Sequence, residues 1–141
     1  IAFEPISNAC QKFLRIFKNN KNVYIHNLAL GSTESQRTLF ITSDSDSSSF
    51  FKPALYNCIK ENSVQIKRAD SILNKQFLKN SLLKIDVQGF ELEVLKGFSK
   101  SLEDLKYILI ELSSIAGYKN QPLFDSINHY LIKKNFKCIR D

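Results

Sequence analysis

The chain has 141 residues, 43% hydrophobic, 24% charged and 11% aromatic, with four Gly and three Pro. That balance excludes a disordered tail, a collagen-like fibre or a linker, and the length suits one domain burying about 68–70% of the surface its unfolded chain exposes. Twenty Lys and Arg against fourteen Asp and Glu give a net charge of +6, yet the basic residues are mostly scattered Lys, as A/T-rich codons produce, and they do not interleave with aromatics as a nucleic-acid surface would.

Ile1-Ala2-Phe3, closed by Glu4, reads as a first strand. The chain contains no Met and opens inside this apolar run, so it reads as an internal piece of a longer protein. Cys10, Phe13, Leu14 and Phe17 recur at helical spacing and predict a helix with these four inward. Asn8 and Gln11 offer it a capping-box-like start, and Asn19-Asn20 end it. Val23–His26 leads through Asn27 to Leu28-Ala29-Leu30, a second apolar run. Thr38–Thr42 and Ser63–Lys67 alternate apolar and polar, predicting two short strands around the polar loop Ser43–Ser49. Asp44 and Asp46 in that loop lack the turn Gly and bidentate Glu of a calcium loop and read as solvated.

Leu82–Ile85 ends at Asp86. A helix from about Phe90 to Lys96 follows, burying Leu92, Val94 and Leu95 and stopping at Gly97. Tyr107–Ile110 ends at Glu111, and Pro122 opens a last helix with Phe124, Ile127 and Leu131 inward. Short non-alternating aliphatic runs imply strands covered on both faces, as in parallel sheets. Strand, helix, strand occurs twice, which predicts an open α/β sheet. No run approaches the roughly 20 residues that span a bilayer, and no charged-then-apolar leader opens the chain.

Cys10, Cys58 and Cys138 lie far apart with no C-x-x-C, and only His26 and His129 accompany them. Neither zinc spacing nor a disulfide framework follows; Cys10 and Cys138 read as reduced thiols on apolar faces, in a reducing compartment such as the cytoplasm. In open parallel sheets, ligands bind outside the carboxyl ends of the strands. Glu4, Asn27, Asp86 and Glu111 would line that edge. An acid closing a strand before a helix, as Glu4 does, suits the two hydroxyls of a ribose, or equally a mere sheet edge. His26, one step before the edge, reads as a packed, hydrogen-bonded residue.

The segment Lys84-Ile85-Asp86-Val87-Gln88-Gly89-Phe90-Glu91, followed by Val94-Leu95-Lys96-Gly97, resembles the signature of the FkbM family of S-adenosylmethionine-dependent methyltransferases. Phe3-Glu4-Pro5, Asn27-Leu28-Ala29-Leu30-Gly31, Ile110-Glu111 and Tyr130-Leu131 with Asn135-Phe136 resemble further segments of that family in the same order. The resemblance implies a Rossmann-like class I methyltransferase sheet, mostly parallel with helices on both faces. It implies S-adenosylmethionine as cofactor and O-methylation of a small molecule or glycan. The scattered charge and short apolar runs speak against a nucleic-acid or membrane partner, and Asp86 with Glu111, two carboxylates alone, is thin support for a metal. Glu4 would hold the ribose, Asn27 and Leu28 would border the adenine, and Gln88 would reach the cofactor. Asp86 would lie where the methyl moves, orienting the acceptor or serving as base, with Glu111 a second base. Glu91 suits the start of the following helix as well as it suits a role in the site.

The family opens with a first strand and a Gly-rich turn. The four glycines here are Gly31, Gly89, Gly97 and Gly117, with no G-x-G, so residues 1–141 read as a partial methyltransferase domain, truncated before Phe3. Two other readings remain: a non-catalytic Rossmann-like interaction module that has lost its cofactor loop, and a dinucleotide-binding oxidoreductase. Asp86-Val87-Gln88-Gly89 argues against the second of these.

Overall fold

The computed structural model describes residues 1–43 and 47–139; Asp44 and Asp46 lie outside the described residues. The chain runs β1 (Ala2–Phe3), α1 (Ser7–Ile16), β2 (Ile25–His26), β3 (Ala29–Leu30), β4 (Ser35–Thr42) and β5 (Cys58–Lys67). It continues through α2 (Ala69–Ile72), α3 (Lys75–Leu78), β6 (Leu82–Ile85), α4 (Glu91–Gly97), a 3₁₀ turn at Leu102–Asp104, β7 (Tyr107–Ile110) and α5 (Phe124–Ile132).

The strands form three groups. β1 pairs in parallel with β2, in register Phe3 to His26, and β6 pairs in parallel with β7, in register Ile85 to Ile110. β3, β5 and β4 form the third group, β3 parallel to β5 and β4 antiparallel to it. Both strand–helix–strand units therefore give parallel pairs, as their apolar runs predict. The middle strands are longer than their alternation suggests: β4 starts at Ser35 and β5 at Cys58, because the antiparallel ladder carries the polar stretch 58–62 against Leu39–Thr42. Pairing extends a strand past the residues that bury a face.

The core gathers β3, β5, β6 and α4: Leu30, Val64, Ile66, Ile85, Phe90, Val94, Leu95 and Phe98 are buried together. Phe90 packs its ring against Phe50 and Phe51, with the Arg37 guanidinium 5.1 Å from its centroid. α4 buries Val94 and Leu95 as its pattern predicts, while Leu92 is half-buried. Gly97 is the helix's last residue rather than a stop beyond it, and its reason is proximity. A Cβ there would lie 2.5 Å from the Gly31 carbonyl oxygen, so α4 approaches the exit of β3 backbone to backbone. Gly97→Ala is expected to destabilise the fold by about 1–3 kcal/mol, the cost of overpacking against atoms that cannot move aside. Urea denaturation gives the number; an unchanged midpoint would show that the two segments separate freely.

Arg68 ties the same corner together. Its guanidinium donates to both Asp70 carboxylate oxygens, at 2.9 and 2.6 Å, and to the Ser32 carbonyl. It also reaches the Lys96 carbonyl at 3.2 Å and Ser99 Oγ at 3.0 Å, joining the β3–β4 turn to the end of α4.

Several apolar faces differ from expectation. Of the four residues predicted inward on α1, only Cys10 is buried; Phe13, Leu14 and Phe17 are 40–49% exposed. α1 is capped at Ile6 without a side-chain bond, so Asn8 lies within the first turn instead of before it. Leu82, Tyr107 and Leu109 are also more than half exposed, so one face of the β6–β7 pair is uncovered among the described residues. On α5, Ile127 is fully buried and Leu131 half-buried, but Phe124 is exposed. Cys138 is exposed too, against the apolar placement expected of it. Asn135 adopts φ +63°, closing α5 with a left-handed residue, and residues 136–139 form no strand. No helix among the described residues is long and apolar enough to cross a membrane.

Candidate functional site

The polar residues expected at the strand ends take their places in two pairs. Glu4 follows β1 beside Asn27, and Asp86 follows β6 beside Glu111, each pair continuing a parallel register. Between β1 and β6 lies a cavity of about 700 Å³, within the range of small-molecule and cofactor sites. Its walls run along Ile1–Phe3 and Leu82–Ile85, over apolar side chains that include Leu30, Phe50, Val94 and Phe98, and Glu4, Asp86 and Gln88 line it at the carboxyl ends. Asn27, Leu28 and Glu111 do not line it.

The two walls are open sheet edges. Ala2 N–H donates to the Tyr24 carbonyl at 2.8 Å and Glu4 N–H to that of His26 at 3.0 Å, so Phe3 turns its main-chain groups away from β2. Tyr107 and Glu111 donate N–H bonds to the carbonyls of Ser81 and Ile85, which turns the main-chain groups of Leu82 and Lys84 away from β7. No other strand pairs with β1 or β6 among the described residues.

Glu4 is half-buried, and its Oε1 accepts the Ile6 N–H at 2.7 Å, fixing the turn into α1. Burial pushes its carboxyl above the usual range, with that N–H pulling the other way. Asn27 spends its side chain on the same turn. Its Nδ2 donates to the Glu4 carbonyl at 2.8 Å and that of Pro5 at 3.2 Å, while its Oδ1 accepts from Ser7 Oγ at 3.0 Å. Asn27 thus braces Glu4. His26 is exposed, with its ring stacked on Phe3 at 5.2 Å, in place of the packed, hydrogen-bonded residue expected.

Asp86 carries a partner on each oxygen. Lys84 Nζ donates to Oδ2 at 3.0 Å and Gln88 Nε2 to Oδ1 at 3.1 Å. The carboxylate holds the Lys84 ammonium charged, raising its pKa. Gln88 stands at φ +52° and Gly89 at φ +96°, two consecutive left-handed residues between β6 and α4. Ser49 Oγ donates to the Gln88 carbonyl at 2.6 Å, Tyr118 Oη approaches Gln88 Oε1 at 3.5 Å, and a Cβ on Gly89 would meet the Gln121 side chain at 3.1 Å. The loop after Asp86 is therefore held by residues 30 to 40 positions away in sequence, none of which the sequence singled out. Lys84 could have been found, since residues two apart on a strand share a face.

Two strands, each from a parallel pair of an α/β domain, bring their acidic ends to one apolar cavity, and this makes the strand ends the candidate site. Residues 1–138 match the Methyltransferase FkbM domain, and the chain belongs to that methyltransferase family. No curated protein and no solved structure matches the chain.

Proposed function

We propose that the domain transfers a methyl group from S-adenosylmethionine to a hydroxyl oxygen of a small molecule or glycan. The observation that carries this reading is the pair Glu4 and Asp86, at the carboxyl ends of two parallel strands, lining one cavity. The residues present fit the ribose part of that cofactor. Glu4 keeps Oε2 without a hydrogen-bond partner among the described residues, so it can accept from ribose hydroxyls while Oε1 holds its turn. The cofactor supplies a methyl group already activated on a sulfonium. The protein then contributes placement and the removal of one proton.

Asp86 suits that second task. Its two donors, Lys84 and Gln88, leave further lone pairs on a carboxylate that has about four acceptor sites. It can align an acceptor hydroxyl, whose proton becomes strongly acidic as the oxygen gains the methyl group. A proton released so late in the transfer needs only a weak base. Glu111, exposed at the end of β7, is the second acceptor for that proton. Asn27 contributes by bracing Glu4, while Leu28 packs half-buried against the core.

The family resemblance implies a further strand with a Gly-rich turn, and the unpaired edges of β1 and β6 are where such a strand would pair. On this reading the 141-residue chain alone binds S-adenosylhomocysteine with a dissociation constant weaker than roughly 10 μM, about −7 kcal/mol. Isothermal titration measures it, and tighter binding would show that no essential part of the pocket is missing. Titration with NADH in parallel tests the oxidoreductase reading, which requires binding there and none of S-adenosylhomocysteine in any longer form.

A further inference from the structure

Glu91 is the most buried carboxyl group described, 3% exposed at the first turn of α4. A helix-dipole role would leave such an acid at the surface, in water. Here the side chain folds back over the helix start, and its Oε1 accepts the Gly89 N–H at 2.8 Å. Its Oε2 is buried with no hydrogen-bond partner, and no cation pairs with the group among the described residues. Burial, opposed by main-chain hydrogen bonds, shifts the carboxyl toward its neutral form.

The Gly89 N–H and the Gln88 carbonyl belong to one peptide unit. Ser49 Oγ donates to that carbonyl at 2.6 Å, so Ser49 and Glu91 grip the two polar groups of the same plane. The grip falls where the backbone needs it, because Gln88 is a non-glycine residue in the left-handed region, a conformation that persists only where its surroundings enforce it. Gln88 in turn donates through Nε2 to Asp86 Oδ1.

We propose that Glu91 is a positioning residue for Asp86, acting through the Gln88–Gly89 peptide that it clamps together with Ser49. The contribution to methyl transfer rests on the function proposed above; the clamp itself does not. Releasing the peptide lets Gln88 leave its left-handed conformation, and Asp86 loses the donor on one oxygen.

Carboxyl and amide NMR of the 141-residue chain tests the clamp without any turnover. Glu91→Ala is expected to shift the Asp86 side-chain carboxyl ¹³C resonance and to speed hydrogen exchange at the Gly89 amide at least tenfold. Glu91→Gln keeps an oxygen to accept from that amide, so it should leave the Gly89 exchange rate near its original value and move the Asp86 resonance less than Glu91→Ala does. Ser49→Ala, acting on the other end of the peptide, should move the Asp86 resonance as Glu91→Ala does, and it carries the test should Glu91→Ala not fold. An Asp86 resonance unmoved by either alanine overturns the proposal. In the catalytically competent enzyme, Glu91→Ala should lower kcat roughly 10–100-fold with KM little changed, since small misplacements near the reacting atoms cost that much. A shifted resonance with unchanged kcat would also overturn the positioning role. A wild-type enzyme that transfers no methyl group would instead overturn the proposed function, leaving the clamp to the NMR result.

Discussion

Asp86→Asn is expected to cut turnover by about 10²–10⁴-fold in the active enzyme while affinity for S-adenosylhomocysteine barely changes. The substitution keeps the shape of the side chain and an oxygen to accept from Gln88, but it removes the charge and the site that would take the acceptor's proton. A competing explanation makes Asp86 a helix cap, in which case Asn, an equally good cap, would be silent. The structure disfavours that explanation. α4 is capped at Phe90 with no side-chain bond, and the Asp86 oxygens turn to Lys84 and Gln88. Stability should hold, since the Lys84–Asp86 pair has side chains 62% and 34% exposed, where an ion pair contributes only about 0–1 kcal/mol. Steady-state kinetics beside a denaturation curve therefore separate the roles. Unchanged turnover would pass the acceptor-side role to Glu111.

The strand ends were legible in the sequence because local chemistry writes them. An aliphatic run must cross the sheet, and the first polar residue after it marks the edge, which put Glu4, Asn27, Asp86 and Glu111 at strand ends; their registration in two pairs came only from the structure. The same logic overreached for the faces. Leu82, Tyr107, Leu109 and the α1 residues Phe13 and Leu14 look like core by periodicity, yet burial depends on a partner that periodicity does not identify. Asn27 was legible in position but not in role, because its hydrogen bonds go to Glu4 and Pro5, more than twenty residues earlier. The grip of Ser49 on Gln88 was invisible for the same reason: it spans 39 residues and has no local signature. Glu91 lay between, marked by the family resemblance and by the helix start, but its burial is a tertiary fact.

Glu4→Ala is expected to weaken cofactor binding in the cofactor-competent protein by about tenfold to a hundredfold. Two charge-assisted hydrogen bonds from ribose hydroxyls contribute roughly 1.5–3 kcal/mol each when shielded from water, and solvent access at a half-buried site brings their total down to about 1.4–2.8 kcal/mol, at 1.4 kcal/mol per factor of ten. Burial already raises the Glu4 carboxyl, so part of the gain on binding offsets desolvation that the folded protein has incurred. Alanine also releases the Ile6 N–H at the start of α1, which costs stability on its own, about 0.5–1.5 kcal/mol for a lost hydrogen bond. Glu4→Gln separates the two effects. Its amide oxygen can still accept from Ile6, so the melting temperature should stay in place, while a neutral acceptor holds the ribose less strongly than a carboxylate. Calorimetry on both variants should therefore rank wild type above Gln above Ala for S-adenosylhomocysteine, with only Ala losing stability. Equal affinities across all three, with folding intact, would remove Glu4 from the pocket and leave it a residue of the β1–α1 turn.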